Sequence, residues 1–232
     1  AFIGLILVFT LTEEVLGAGT LNWSTLISIA GSLSPAILFA VFIFTFAGFA
    51  AKSGIVPFHA WLPTAYSKAP GPISAILPGT VSTIGIYGIL RIYAIVAQTE
   101  AVGKISIFLI VFGITSMIIA ALTMLREPNL KKLIGYSSIE HMGFTLVGIG
   151  IGTPVTIFFV LFHLLAHALT KSSLFFSTGI IHHQFGSVRI EKIKNVFQLQ
   201  PFAGWTLILG TISIIGMPLS AIFIAKLAIL TQ

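Results

Sequence analysis

Apolar residues in this chain fall into long, nearly unbroken runs rather than into stripes or alternations. Seven such runs stand out: Ala1 to Thr12, Pro35 to about Val56, Ser74 to Ala97, Ile105 to Met124, Leu133 to Gly150, Pro154 to Ile181 and Pro201 to Leu230. An α-helix needs roughly 20 apolar residues to cross a hydrocarbon core about 30 Å thick, and most of these runs meet or approach that length. Ile105 to Met124 is apolar on every face, which suits lipid and not the surface of a soluble core. The ten-residue alternation of a membrane β-barrel is absent. Turn-forming residues separate the runs, as in Asn22-Trp23-Ser24, Ala69-Pro70-Gly71-Pro72 and Arg126-Glu127-Pro128-Asn129. Ser24 to Leu33 is apolar but short and is expected to lie at the interface. The pattern predicts an all-α, polytopic transmembrane helix bundle. Its first run, Ala1 to Phe9, has no initiator Met, basic flank or cleavage site, so it is not a signal peptide. It reads as the end of a cut membrane helix, and the natural protein is expected to extend upstream.

Composition agrees with this reading and narrows the chemistry. Of 232 residues, 56% are hydrophobic and 8% are charged, against about a quarter charged in soluble domains. Mean hydropathy is +1.08. A soluble domain, a disordered chain and a collagen-like fibre are excluded. The absence of cysteine excludes disulfides, Cys-ligated zinc, iron–sulfur clusters and thiol chemistry. The net charge of +6 is explained by where the cations lie. If the runs alternate across a membrane, Lys68, Arg126, Lys131, Lys132, Arg189, Lys192 and Lys194 share one face. Lys104, Arg91, Glu13, Glu14 and Glu100 fall on the other. The positive-inside rule puts the seven-cation face in the cytoplasm, which implies a multi-pass protein of the cell inner or plasma membrane with no nucleic-acid partner.

Ionisable residues within the runs are costly, about 2.5–3.5 kcal/mol each at a helix centre, and mark functional paths. Here they are Lys52, the pair Glu140-His141, the series His163, His167 and Lys171, and Lys226. His163, His167 and Lys171 are spaced i, i+4, i+8, so they line one helix face over about 12 Å of rise, a geometry suited to proton transfer. The His163-x3-His167 pair has a zinc-like spacing, but Leu164 stands where a zincin carries Glu and no third ligand is evident, so no metal is expected. His182-His183 reads as an exposed pair. Pro57, Gly216 and Pro218 interrupt two of the runs, and interrupted helices are the best sequence pointer to a transport site. The interrupted runs share a pattern, Ala47-x-Phe49-x-Ala51-Lys52 and Ala221-x-Phe223-x-Ala225-Lys226, and by alternation cross the membrane in opposite directions. With no Gly-rich phosphate loop, nucleophile triad or ligand cluster, no cofactor is expected in this chain.

Five motifs then occur in order: Lys52-Ser-Gly-Ile-Val-Pro57-Phe-His59-Ala-Trp61-Leu-Pro63-Thr-Ala65, Ala69-Pro-Gly-Pro72-Ile-Ser74-Ala, Asn129-Leu-Lys131-Lys132-Leu-Ile-Gly-Tyr136-Ser137-Ser, His163-x3-His167-Ala-x2-Lys171 and Gly216-Met-Pro218-x7-Lys226. Together they resemble the antiporter-like, proton-translocating membrane subunits of respiratory complex I, Mrp-type antiporters and group 4 membrane-bound hydrogenases. Ser137-Ser-Ile-Glu140-His141-Met-Gly143 looks most like the hydrogenase-type subunits. The resemblance implies a fold of about fourteen helices with two inverted half-channels, each holding a discontinuous helix. On it, residues 1–232 form one transmembrane domain that is a fragment: 1–97 the C-terminal part of the first half-channel, 104–232 most of the second. Lys52 matches the lysine of the first broken helix, Lys226 the lysine or glutamate of the second, and His163, His167 and Lys171 the polar residues of the linking helix. The glutamate that pairs with the first lysine would lie upstream of Ala1. One departure is that Ser74 to Ala97 offers only Thr80, Ser82, Thr83 and Tyr87 where the family often has Lys or His. The implied role is proton transfer as a non-redox subunit of an oxidoreductase translocase, with other membrane subunits as partners. Sodium/proton exchange is the alternative within transport, and a structural or quinone-site subunit is the alternative of another class.

Overall fold

The computed structural model describes residues 1–232 and is all helical, save an isolated backbone bridge between Asn129 and Arg189. Prolines with φ already set for a helix open the first turn of α3 (Pro35–Ser53), α9 (Pro154–Phe185) and α11 (Pro201–Ile215). Side-chain caps start others. Asn22 opens α2 (Trp23–Ile29), Asn129 opens α8 (Leu130–Ile151), and Ser220 opens α12 (Ala221–Leu230), each accepting a bond from a first-turn amide. The remaining helices are α1 (Phe2–Leu16), α4 (Trp61–Lys68), α5 (Gly71–Leu77), α6 (Thr83–Val96), α7 (Val102–Met124) and the single turn α10 (Val196–Leu199). A π-helical stretch, Pro78–Ser82, joins α5 to α6 into one rod of 26 residues, Gly71–Val96. The short Ser24 to Leu33 run is α2 followed by a 3-10 turn, Ala30–Ser32.

Four helices are long and apolar enough to cross a membrane: α3, the α5–α6 rod, α7 and α9. The 22-residue α8 is comparable in length but more polar, and it is the most enclosed helix of the bundle. It packs tightly on α7. Gly143 and Val147 lie against Gly113, and Gly150 against Ser106, so the two helices run antiparallel. A Cβ on Gly113 would stand 2.6 Å from the Gly143 carbonyl oxygen, which is why glycine is needed at this crossing. The outward face of α7 carries Ile107, Val111, Ile118 and Leu122, all exposed. α9 is polar inside and apolar outside: His163, His167 and Lys171 are fully buried while Leu161, Leu165 and Leu169 face outward. That inversion of the soluble pattern is what lipid as solvent selects.

The two interrupted helices run in opposite directions. Gly85 meets Ser53 and Gly88 meets Phe49, so α3 is antiparallel to α6. Gly71 meets Gly179 and Gly79 meets Ala168, so the rod, like α8, opposes α9, and α4, which opposes α8, is antiparallel to the same rod. Thus α3 and α4 form one discontinuous helix, and it opposes α8, where Gly135 packs on Pro63 and Lys131 Nζ donates to Ala69 O at 3.2 Å. On the other side, Gln200 bonds Gln184 and Ser213 lies 3.4 Å from Thr170, so α11 descends α9. α12 continues in the same sense, with Ile229 beside Gly148 and Val160. Since α9 opposes α8 through the His141–His163 and Ile134–Lys171 contacts, α11–α12 runs with α8.

This packing gathers the charges at the ends. Lys68, Arg126, Lys131, Lys132 and Arg189 sit at one end, where Leu130 N–H also bonds Val188 O. Arg91, Glu100 and Lys104, with Glu13 and Glu14 closing α1, sit at the other. Two apolar cores fill the space between. The larger is built on α1, α3, α6, α7 and α8, with a cluster of phenylalanines, Phe42, Phe46, Phe108 and Phe112. The smaller lies among α4, α8, α9 and α12.

Candidate functional site

Between the two cores, α8, α9 and α12 enclose a row of ionisable side chains. Helical periodicity on α8 sends neighbours Glu140 and His141 to different partners. Glu140 turns toward α12, where Lys226 Nζ donates to its Oε1 at 3.1 Å. Both side chains of this pair are about four-fifths buried. The Lys226 ammonium also lies 5.7 Å from the centre of the Phe144 ring, within range of its negative face. His141 turns toward α9. Its Nε2 stands 3.4 Å from Glu140 Oε2, and its Nδ1 is 3.0 Å from His163 Nε2, so the two edges of one ring face the carboxylate and the next imidazole. One of the two facing nitrogens donates and the other accepts.

His167 lies one turn further along α9, its ring centre 5.3 Å from that of His141. Lys171 follows after another turn and is fully buried. Its Nζ donates to the Ile134 carbonyl at 2.6 Å and to Ser137 Oγ. Thus Lys226, Glu140, His141 and His163 are in direct contact in that order, and His167 and Lys171 extend the row by two turns of α9 in the interior of the bundle. Four imidazole nitrogens in it have no hydrogen bond within the protein: Nδ1 of His163, both ring nitrogens of His167, and Nε2 of His141, whose 3.4 Å approach to Glu140 is an ion-pair contact without hydrogen-bond geometry. Buried polar atoms are nearly always hydrogen-bonded, so a row of this kind is built for small, exchangeable partners such as water. The three imidazoles fall short of a metal cage, because no group of three or more His, Cys, Asp or Glu side chains converges on one point.

Six of the seven residues expected from sequence therefore come together. Lys52 stands apart. It occupies the last turn of α3, its side chain is exposed, and it makes no hydrogen bond or ion pair within the chain. The predicted breaks are real. After Lys52 the chain enters the left-handed region at Gly54 (φ 75°), where the Ile55 amide reaches back to Ala50 O at 2.9 Å, and Pro57 follows in the turn. After Ile215, Gly216 (φ 83°) does the same, with the Met217 amide on Ile212 O at 3.3 Å and Pro218 next. His182 and His183 are respectively exposed at the end of α9 beside a cleft with Gln184 and Gln200.

Sequence reasoning gave no role to Ser137 or Ser116 and counted Lys131 only among the cations of one face. Ser137 binds Lys171, and its signal is its place three residues before Glu140 on α8. Ser116 on α7 accepts the Val56 amide at 3.1 Å, satisfying a donor freed by the break after α3. Lys131 is 1% exposed and caps the C-terminal end of α4 through Ala69 O.

Comparison with known proteins fits this geometry. The family described as "NADH:quinone oxidoreductase/Mrp antiporter, TM" matches residues 2–232. The chain belongs to this family. A hydrogenase-4 component F homolog of Methylacidiphilum infernorum (isolate V4) is 32% identical over 234 residues, covering 100% of this chain and 49% of the relative. The chain therefore spans about half the length of that relative. Among solved structures, a chain of the membrane-bound sulfane sulfur reductase, an archaeal respiratory membrane complex, superposes with a TM-score of 0.90 at 27% identity, over 99% of this chain and 46% of that one. A chain of the Mrp complex from Dietzia sp. DQ12-45-1b gives 0.85 at 25% identity, over 99% and 42%. The antiporter-family fold is thus shared across hydrogenase-like, sulfur-reducing and antiporter complexes.

Proposed function

We propose that this chain is part of a proton-translocating subunit of a membrane-bound, redox-driven complex, and that protons move along Lys226, Glu140, His141, His163, His167 and Lys171. The observation that carries the reading is His141, whose two ring nitrogens face different partners, Glu140 on one side and His163 on the other. An imidazole that gains a proton at one nitrogen and loses one from the other moves charge without moving its ring. A proton delivered from the Lys226–Glu140 pair enters at His141 Nε2, and the proton on Nδ1 leaves to His163 Nε2. Water at the unpartnered nitrogens of His163 and His167 carries it on to Lys171. Lys52 serves a second path whose remaining groups lie outside this chain. The inverted half-channel arrangement implied by the resemblance is supported by the opposed directions of α3–α4 and α11–α12. On the positive-inside rule the end carrying Lys68, Arg126 to Lys132 and Arg189 to Lys194 is cytoplasmic.

Neighbouring subunits drive the transfer by changing the field at Lys226, because charges in a low-dielectric interior act strongly over several ångströms. Protons are favoured over sodium because sodium wants a shell of oxygen ligands, and Glu140, the one acidic residue well inside a span, already holds Lys226. The test is reconstitution of the full-length subunit in its complex with Lys226→Met or Lys52→Met. Undiminished proton pumping in either variant sinks the corresponding path.

A further inference from the structure

Away from the ionisable row, on the side of α6 that faces out of the bundle, lies a furrow of about 350 Å³. Its floor is Ile84, Gly88 and Ile95 of α6, its wall is Leu5 and Val8 of α1, and Trp23 lines it beside Arg91. From Ile84 to Ile95 it runs about 16 Å along the helix axis, roughly half the hydrocarbon thickness of a bilayer. Set into this apolar furrow is one cation. The Arg91 guanidinium lies 3.9 Å from the Trp23 ring centre and 5.6 Å from that of Tyr87, one turn before it. Both ion pairs of the chain belong to Glu140, so Arg91 has no carboxylate partner within residues 1–232. It sits five residues before the end of α6, the depth at which long cationic side chains reach toward headgroups and aromatic rings mark the interface.

We infer that this furrow is a binding site for an anionic phospholipid, with the phosphate on Arg91 and one acyl tail lying along α6 toward Ile84. Three features fit that occupant together: a cation with no carboxylate partner in this chain, an apolar channel that runs about 10 Å along α6 from Arg91 to Ile84, and aromatic rings that hold the guanidinium plane in place. A guanidinium binds the phosphate of either headgroup through two parallel N–H donors, but the choline cation of a zwitterionic lipid is repelled by the same charge, so an anionic headgroup is favoured. A partner helix bearing a carboxylate is the rival occupant, and the experiment separates the two.

The full-length subunit in its complex is equilibrated with vesicles of phosphatidylglycerol and phosphatidylcholine, each in turn carrying a photoactivatable group on the acyl tail. Labelled peptides are then mapped. Phosphatidylglycerol is expected to label the Ile84–Ile95 and Leu5–Val8 segments about fivefold more than phosphatidylcholine, the preference one cation near an anionic surface supplies. Arg91→Gln abolishes that preference, Arg91→Lys restores most of it, and Ile84→Trp, which fills the deep end, reduces labelling by both lipids. Equal labelling by the two lipids in the native protein, a preference unchanged in Arg91→Gln, or capture of the same segments by another polypeptide in place of lipid overturns the proposal. The Arg91→Lys variant guards against misreading a folding defect as lost binding.

Discussion

The two interrupted helices are built with one device and used differently. In each, a glycine at positive φ ends the first half, and the next amide reaches back five residues, Ile55 to Ala50 and Met217 to Ile212. The lysines fall on opposite sides of these breaks. Lys52 is in the last turn before its break, exposed and unpaired. Lys226 is in the half-helix after its break, mostly buried and held by Glu140. The same hook thus presents one lysine outward to whatever neighbours this chain and turns the other into a row of imidazoles. A break frees backbone groups, and what satisfies them, more than the break itself, decides which way the nearby charge points.

The largest effects are expected at the paired lysine. Lys226→Met leaves Glu140 without its cation, and proton transport should fall more than about tenfold, equivalent to over about 1.4 kcal/mol on the barrier. Thermal stability of the purified subunit should fall as well, because removing one partner of a largely buried pair strands the other. The double variant Glu140→Gln/Lys226→Met should recover that stability but not the transport, since a neutral pair has no stranded charge and no proton to pass. Lys52→Met, with no partner in the chain, should leave thermal stability unchanged. Equal destabilisation by Lys52→Met and Lys226→Met would erase the distinction between the two breaks.

Next come the glycines. Gly54→Ala forces an L side chain into the left-handed region, at about 1–2 kcal/mol, and its new methyl also collides with the Leu62 side chain. At Gly216 the backbone strain is the same, but the nearest atom is Lys226 Cδ at 3.6 Å, ordinary contact. Gly54→Ala should therefore lower the unfolding midpoint more than Gly216→Ala. The reverse order would mean that the second break is the more tightly packed.

Much of this was legible in the chain. Apolar run length predicted the helices, and Pro57, Gly216 and Pro218 marked both breaks, because backbone geometry is encoded locally. The α9 stripe followed from 3.6-residue periodicity alone. The partners of that stripe did not. Glu140 and Lys226 are 86 positions apart, and their meeting depends on how α8 crosses α7 and α9. That crossing is set by Gly113, Gly143 and Gly150, whose contacts no local pattern announces. Likewise, nothing in the shared Ala-x-Phe-x-Ala-Lys pattern says that Lys52 faces outward while Lys226 faces in. Ser116 was invisible for the same reason: its hydroxyl matters only because Val56 arrives beside it from another helix.

The freed backbone groups give the next test. Ser116→Ala removes the acceptor for the Val56 amide, which lies in fully buried surroundings beside Ile55. A stranded buried donor costs about 1–3 kcal/mol, so the unfolding midpoint should drop, and amide exchange at Val56 should quicken. Unchanged exchange at Val56 would show that another acceptor serves the first break.

The smallest effect is expected at the counterpart position of the second break. There the half-helix α12 starts with its own cap, the Ser220 hydroxyl accepting from the Phe223 amide at 3.1 Å. Losing such a cap costs about 1 kcal/mol. The preceding Leu219 is 99% exposed, so the chain around Ser220 is open and the freed amide can find another partner. Ser220→Ala should therefore lower stability by less than Ser116→Ala while leaving proton transport through Lys226 near its native rate. A transport loss as large as that of Lys226→Met, without a matching loss of stability, would mean that the start of α12 sets the position of the lysine. The second break would then be part of the proton path, not only its support.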